Sequence, residues 1–281
     1  EFAQIFSGFD VEVTLLQRDA QILQREDRDI AELVQKDLAA RGVRIVTGME
    51  VLRVQKHGAD KVVSVKVGSQ EQDFRAQEIM IAAGRRAALS ELNFEAAGLT
   101  LNAQGKLDLN EYLQTERAHI WAAGDAAANW QFTHTAAYEG DLVGRNICHK
   151  HDEGVNYDVV PRVTFCEPEV ASVGMTEAEA QKKGFETTVS KYPIGNLGRS
   201  LIDLDRRGVV KLVIDKKTRL ILGAHIVGQS AGQMIHELAV AMKGKLPVDV
   251  VAKTIHAYPT YSESIAAAAE KFVSPNTPPP F

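Results

Sequence analysis

Two apolar runs, each ending in small residues and a glycine, constrain most strongly what this 281-residue chain can fold into. The first, EIMIAAGRR, covers residues 78–86, and the second, AHIWAAGDAA, covers residues 118–127. Continuous apolar runs bounded by turn residues are typical of strands buried on both faces, as in α/β folds. Such folds bind ligands at the carboxyl ends of their strands. We therefore predict two buried strands, and Asp125, at the end of the second, either contacts a ligand or caps a turn.

Charge and composition limit the classes of molecule that this protein is expected to bind. The formal net charge is -5, with no long run of lysine or arginine. Nucleic acids and anionic membranes select basic surfaces, so we expect no nucleic acid and no membrane as a partner. No apolar stretch reaches the roughly 20 residues of a membrane-spanning helix, and we therefore expect a cytoplasmic protein. Cys148 and Cys166 show no CxxC or metal-type spacing, which predicts two packed apolar residues and no metal site.

The first part of the chain alternates helical and strand-like patterns. Residues 1–8 place Phe2, Ile5 and Phe6 on one helical face, and VEVTLL, residues 11–16, then alternates like a strand. A helix that leads directly into a strand is the second half of a βαβ unit. The pattern continues with a helix over residues 28–42, whose apolar stripe is Ile30, Leu33, Val34 and Leu38, and with strands over residues 43–48, 51–58 and 62–68. An α/β domain with an attached β-meander is predicted.

A further helix, HTAAYEGDLVGRNI, is predicted to begin near Thr135. The N–H groups of a first helical turn have no partner inside the helix, and the helix dipole adds partial positive charge at this end. These groups are therefore suited to face an electron-rich ligand.

From residue 156 onward the pattern changes, because strands come first and helices follow. Thr176 and Glu179 have the spacing of a capping box, and residues 207–228 have the pattern of a β-hairpin. Residues 231–244 form an amphipathic helix that ends at a glycine. Strands followed by helices on one face are typical of an α+β domain.

Several motifs occur in the order found in the flavoprotein pyridine nucleotide-disulfide oxidoreductases, the family of dihydrolipoamide dehydrogenase, glutathione reductase and mercuric reductase. They are EFAQIFSGFD, IMIAAGRRA, HIWAAGDAA, TAAYEG, FCEPEVASVGMTEAEA and HAYPTYSES. The whole chain resembles the C-terminal part of such an enzyme. The family's FAD phosphate-binding loop, its redox-active CxxxxC and most of its nicotinamide-side Gly-rich turn are not in this sequence.

The resemblance implies a fold of partial nucleotide-binding, Rossmann-like α/β domains followed by an α+β dimerisation domain. The expected segments are residues 1–85 for the remainder of the NAD(P)-binding domain, 86–155 for the C-terminal part of the FAD-binding domain, 156–270 for the dimerisation domain and 271–281 for a flexible tail.

For the flavin, the resemblance assigns roles around the second apolar run and the helix after it. Asp125, after Gly124, matches the aspartate that accepts hydrogen bonds from the ribityl chain of FAD. Thr135, Ala136 and Ala137 match the segment whose backbone N–H groups stabilise negative charge at the pyrimidine end of the flavin.

For the nicotinamide side, Glu1 matches a glutamate that lies near the nicotinamide, and Ala83 and Gly84 match the turn where the chain returns to the FAD domain. Arg18 follows the strand 11–16 and suits the 2'-phosphate of NADPH, whereas the adjacent Asp19 suits the ribose hydroxyls of NADH. The cofactors implied are therefore FAD and NADPH or NADH, with Arg18 favouring NADPH.

The motif HAYPTYSES departs from the family at a position that carries chemistry. In the disulfide-reducing members a histidine directly precedes this Pro-Thr and serves as the acid/base for the thiol pair, whereas here Tyr258 precedes Pro259. Glu263 stands in the position of the glutamate that orients the histidine. His256 shares a face with Tyr258 on an extended segment and is expected to reach the same pocket. Alternatively, Tyr258 only packs at the subunit interface.

A tyrosine with its ordinary pKa near 10 is a poor base at neutral pH but can donate a proton. We therefore expect a mercuric-reductase-like or dihydrolipoamide-dehydrogenase-like flavoprotein, although the C-terminal cysteine pair of mercuric reductases is not in this sequence. It would pass electrons from NAD(P)H through FAD to a disulfide, a metal ion or another small acceptor. A homodimer through the C-terminal domain is implied. The alternative is an inactive C-terminal fragment that acts only as a dimerisation module.

Overall fold

The computed structural model describes residues 1–89, 91–127, 130–149 and 153–274. The chain divides into two compact units, residues 1–79 with 158–281, and residues 80–157. Among the described residues, no helix is both long and apolar enough to cross a membrane.

The helices in this part of the chain are α1 (Phe2–Ser7), α2 (Arg28–Ala40), α3 (Thr133–His149), α4 (Glu177–Lys182), α5 (Gly198–Ile202), α6 (Ala231–Lys243), α7 (Val248–Lys253) and α8 (Glu263–Val273). The strands are β1 (Thr14–Leu16), β2 (Arg44–Val46), β3 (Met49–His57), β4 (Asp60–Val67), β5 (Gln70–Ala76), β6 (Arg162–Thr164), β7 (Glu169–Gly174), β8 (Thr187–Pro193), β9 (Val209–Asp215) and β10 (Ile221–Gly228).

The beginning of the first unit confirms the predicted βαβ pattern. β1 and β2 pair in parallel, and α2 connects them. Ile30, Val34 and Leu38 of α2 are buried, but Leu33 is exposed, so its assignment to the apolar stripe was wrong. β3, β4 and β5 form an antiparallel three-stranded sheet, which extends the predicted meander by one strand.

A five-stranded antiparallel sheet, in the order β6-β7-β10-β9-β8, forms the centre of the first unit. Alternate residues of a strand point to opposite faces, and both faces of this sheet are covered. Residues such as Leu212 and Ile226 pack with α6, α7 and α8, whereas Val170 and Val227 pack with Ile30 and neighbouring side chains of α2. The α+β prediction is confirmed, together with the hairpin of β9 and β10 and the Thr176–Glu179 capping box.

Two smaller predictions need correction. Cys166 is buried as expected, but Cys148 is exposed on α3. The helix α8 continues to Val273, which lies beyond the expected start of the tail at residue 271. Residues 275–281, most of the predicted tail, lie outside the described residues.

The two apolar runs do not form the buried strands that the sequence predicts. Residues 78–86 contain no strand, and Met80 and Ile81 are exposed. In the second run, an isolated bridge joins Gln114 to Trp121, and a short 3-10 helix follows at Gly124–Ala127. A strand requires neighbouring strands for its backbone hydrogen bonds, and among the described residues the first run has none, while the second pairs only briefly with residues 113–115. Apolar composition indicated a tendency to be buried but did not supply a pairing partner.

Candidate functional site

The turn that carries Asp125 is held closely against α3 in the second unit. Gly124 has a φ of 68°, in the left-handed region that favours glycine. A Cβ added at Gly124 would lie 3.0 Å from Cβ of Ala136, so a larger residue would require Ala136 to shift. Asp125 follows directly. Its half-buried carboxylate forms an ion pair with Arg85, with Nη2 of Arg85 and Oδ2 of Asp125 2.8 Å apart.

The helix α3 begins at Thr133, two residues before the predicted start. The backbone N–H of Ala136 donates to the carbonyl of Phe132 at 2.9 Å, so the N–H groups of Ala136 and Ala137 lie beyond the open first turn. Of the three predicted residues, only Thr135 contributes a first-turn N–H. The ring of His134 stacks on that of Phe132, with centroids 5.2 Å apart.

Thr135 offers a second polar group at this helix start. Its side chain is almost fully buried, and its Oγ1 has no hydrogen-bond partner among the described residues. Buried hydroxyls are normally paired, so Oγ1 of Thr135 has a hydrogen-bonding position to offer to water or a ligand. A carboxylate at Asp125 and a spare hydroxyl at Thr135 are acceptors and donors suited to the hydroxyl-rich chain of FAD, and the residues fit the implied cofactor.

Glu139 links the turn to the helix, and sequence reasoning missed it. Its Oε2 accepts from the N–H of Gly124 at 2.6 Å, and its Oε1 accepts from the hydroxyl of Tyr157 at 2.6 Å. The residue is fully buried. The available signal was its spacing, because Glu139 lies four residues after Thr135 and therefore on the same helical face.

Ala83 and Gly84 lie at a turn, as predicted. Gly84 has a φ of 112°, which only glycine adopts readily. Arg85 follows this turn and reaches Asp125. Sequence reasoning quoted Arg85 within the motif but assigned it no role.

The predicted nicotinamide residues lie in the first unit. Oε1 of Glu1 accepts from the backbone N–H of Phe165 at 2.7 Å. Arg18 is exposed just beyond β1, and Asp19 accepts from Nε2 of Gln17 at 3.1 Å. The guanidinium of Arg18 is therefore open to solvent, whereas the carboxylate of Asp19 is already engaged.

The predicted catalytic residues near the C-terminus do not converge as expected. His256 is directed elsewhere: its Nδ1 lies 2.8 Å from the carbonyl of Thr254, and its Nε2 lies 2.9 Å from Oε1 of Glu237 on α6. Glu263 accepts from the backbone N–H of Thr260 at 2.9 Å. Both ring nitrogens of His256 are thus occupied by groups other than Tyr258, and its expected reach to the pocket of Tyr258 stays a prediction.

Tyr258 lies over the start of α5. Its side chain is 66% exposed, and its hydroxyl would be 3.0 Å from a Cβ added at Gly198. The same short helix is fixed by Tyr261, whose hydroxyl lies 2.8 Å from Oδ2 of Asp203. Burial and this hydrogen bond raise the pKa of Tyr261 to about 12, so Tyr261 stays protonated and structural.

Comparison with known proteins gives matches across the chain. The model of the pyridine nucleotide-disulphide oxidoreductases matches residues 1–140, and the model of that family's dimerisation domain matches residues 160–269. A mercuric reductase of Bacillus cereus is 37% identical over 97% of this chain and 43% of its own length. A dihydrolipoyl dehydrogenase of Geobacillus stearothermophilus is 31% identical over 96% of this chain and 57% of its own length.

Solved structures are similar as well. The Cu(II) complex of the HOCl-induced flavoprotein disulfide reductase RclA from Escherichia coli has a TM-score of 0.88 and 30% identity, over 96% of this chain and 60% of that one. The chain spans about half the length of the curated relatives it matches.

Proposed function

Because this chain belongs to the pyridine nucleotide-disulphide oxidoreductase family, we propose that it serves an FAD-dependent oxidoreductase that takes electrons from NAD(P)H. The observation that carries the proposal is the Gly124–Ala127 turn packed on the start of α3. It places a carboxylate in the turn and, at Thr135, a buried hydroxyl that has no hydrogen-bond partner among the described residues. When bound, FAD supplies the two-electron chemistry that connects the nicotinamide to the acceptor.

The residues of the chain hold and orient the cofactors. Asp125 accepts hydrogen bonds from the ribityl hydroxyls, and the first turn of α3, with Thr135, faces the flavin ring. On the nicotinamide side, Glu1 lies near the nicotinamide, and Arg18 pairs with the 2'-phosphate of NADPH. Gly84 provides the turn that returns the chain to the flavin side.

The acceptor is a metal ion or another small oxidant in preference to a disulfide. Tyr258 stands where a histidine would return a proton to a thiolate, and a tyrosine does so poorly at neutral pH. The relatives include mercuric reductases and a protein described in a Cu(II) complex, so Hg²⁺ and Cu²⁺ are the first acceptors to test. The protein acts in the cytoplasm as a homodimer through residues 156–270.

The first experiment is a visible absorbance spectrum of the protein purified under native conditions, with and without added FAD. A flavin band near that of free FAD, retained through gel filtration, supports the proposal. A protein that stays colourless after incubation with FAD favours the alternative, a dimerisation module without its own redox chemistry.

A second experiment tests Tyr258. The variant Tyr258→Phe removes the hydroxyl but keeps the ring over α5. We expect reduction of an oxidant that takes up a proton to fall by about 100-fold, the lower end of general acid catalysis, whereas reduction of a metal ion, which takes up no proton, should not change. Flavin reduction by NAD(P)H, measured by stopped flow, should not change, because Tyr258 acts only on the acceptor side.

The comparison of acceptors completes this test. Wild-type turnover of dihydrolipoamide or glutathione disulfide at the rate found with metal ions would contradict the role given to Tyr258. A Tyr258→Phe protein with unchanged turnover of the oxidant that takes up a proton would show that the ring only packs at the interface.

A further inference from the structure

We propose that Glu139 is the positioning residue that holds the flavin-facing turn Gly124–Ala127 in place, an inference that rests on the proposed flavin function. The side chain of Glu139 contacts neither reacting atoms nor an exposed surface. Its role is to fix the backbone from which Asp125 projects.

The surroundings of Glu139 are unusual for a structural carboxylate. The side chain is fully buried, and its two oxygens accept from two neutral donors, the N–H of Gly124 and the hydroxyl of Tyr157. No lysine or arginine forms an ion pair with it among the described residues. Burying a carboxylate without a cation costs free energy that an apolar residue would avoid. Such departures from good packing are concentrated at functional sites.

The geometry connects Glu139 to both groups proposed to meet FAD. Through the N–H of Gly124 it sets the position of the next residue, Asp125. On α3 it shares a face with Thr135, one turn earlier, whose buried Oγ1 has no partner among the described residues. Ala136 lies close to Gly124, because a Cβ added at Gly124 would be 3.0 Å from Cβ of Ala136. The carboxylate of Glu139 therefore fixes the position of the Gly124–Ala127 turn relative to the start of α3.

Loss of this carboxylate leaves the buried N–H of Gly124 without an acceptor. The turn is then free to shift, and Asp125 has to be reordered each time FAD binds. The affinity for FAD falls, because part of the binding free energy is then used to order Asp125, which Glu139 orders in the wild-type protein.

The test measures the Kd of FAD for the apo-protein by flavin fluorescence. Glu139→Ala and Glu139→Asp should each weaken binding by about 10-fold or more, the effect of one lost hydrogen bond to a charged group. The aspartate variant keeps the charge but is too short to reach both donors, and it serves if the alanine variant does not fold. Glu139→Gln should restore binding to within about 3-fold, because its amide oxygen still accepts from Gly124 and the hydroxyl of Tyr157 rotates to accept.

Leu142→Ala is the matched structural control. Leu142 is fully buried on the same helix, three residues on, and its truncation destabilises the unit without touching the N–H of Gly124. The positioning role predicts that Leu142→Ala lowers the Tm as much as Glu139→Ala but changes the Kd of FAD little.

Two results would overturn the inference. One is wild-type affinity in both Glu139→Ala and Glu139→Asp, and the other is equal loss of affinity in Leu142→Ala at equal Tm. In both cases the wild-type protein still binds FAD, and the proposed function stands. A wild-type protein that binds no FAD instead overturns the proposed function and this inference together.

Discussion

Arg18 and Asp19 stand side by side after β1 with opposite preferences for a nicotinamide cofactor. The carboxylate that would bind the ribose hydroxyls of NADH is occupied by Gln17, while the guanidinium that would bind a 2'-phosphate is exposed. Arginine binds phosphate through two parallel charge-assisted hydrogen bonds. At this position we therefore predict a preference for NADPH.

The variant Arg18→Ala tests this preference. We expect kcat/KM for NADPH to fall by about 10- to 100-fold, the effect of 1.5–3 kcal/mol of charged hydrogen bonding. The value for NADH should stay within about 3-fold, because NADH has no 2'-phosphate. Arg28→Ala, which removes an exposed arginine on α2, is the control. An unchanged ratio of the two kcat/KM values would exclude Arg18 from cofactor selection.

Single residues also show which parts of the candidate site the sequence predicts and which it does not. The sequence correctly located Gly84 and the Gly124–Asp125 turn, because glycines at strained φ values leave a direct signature. It did not find Glu139 or the partner of His256. A buried hydrogen bond between residues 15 or more positions apart depends on tertiary packing, which spacing alone does not encode.

At the scale of elements, the second face of the five-stranded sheet carries a buried charge network. Lys211 on β9 lies 3.0 Å from carboxylate oxygens of both Asp27 and Asp29, at the start of α2. Beside it, His225 on β10 lies 3.2 Å from Oε2 of Glu26. These contacts fix the start of α2 to the sheet.

The variant Lys211→Met tests the network because it keeps the aliphatic stem and removes the charge. Lys211 is only 2% exposed, and its loss leaves the buried Asp27 without its lysine partner, whereas Asp29 keeps its ion pair with Lys191. We expect the free energy of unfolding at pH 7 to fall by about 3–5 kcal/mol in urea titrations. Lys216→Met removes an exposed pair with Glu186 and should change it by less than about 1 kcal/mol. If both variants lost a similar free energy of unfolding, the stabilisation could not be attributed to the burial of Lys211.

The pH dependence of stability follows from the same contacts. Burial alone lowers the pKa of Lys211, but hydrogen bonds to Asp29 and Asp27 outweigh it and raise the pKa above 10.5. The stabilisation from Lys211 is therefore complete below pH 10.5 and is lost as the pH rises through the raised value. Burial raises the pKa of Glu26, but His225 and Arg162 lower it below 4.5 overall. That contribution is present above pH 4.5 and is lost on acidification. Lys211→Met should lack the alkaline loss and part of the acid loss, because Lys211 also lowers the pKa of Asp29, but it should keep the acid loss that comes from Glu26.

Elements of this sheet were predictable, whereas the two apolar runs were not. β9 and β10 have alternating patterns, a turn between them and each other as partners, so local sequence determines them. Residues 78–86 and 118–123 have the composition of buried strands, but a strand forms only where a neighbour pairs with it. Composition describes a tendency to be buried, and pairing is a property of the assembled fold.

At the scale of the whole molecule, the proposed homodimer requires an interaction surface within residues 156–270. Val240 on α6 is 68% exposed, and Ile255 after α7 is 97% exposed. Ile255 directly precedes His256, whose ring contacts Glu237, three residues before Val240 on the same helix. Clustered exposed apolar side chains mark an interaction surface, and a second copy of the same domain is the proposed occupant.

Val240→Asp and Ile255→Asp test this assembly. A carboxylate at the centre of an apolar interface must be desolvated without a partner, so each variant should weaken the dimer by at least about 100-fold, equivalent to about 2.7 kcal/mol. Sedimentation equilibrium at micromolar concentration should give a dimer for the wild type and a monomer for both variants. Val54→Asp, which changes an exposed valine on β3, should remain dimeric. If the wild type sediments as a monomer, or if Val54→Asp dissociates to the same extent, Val240 and Ile255 do not form a dimer interface. A monomeric wild type would also mean that each subunit binds its acceptor without a partner.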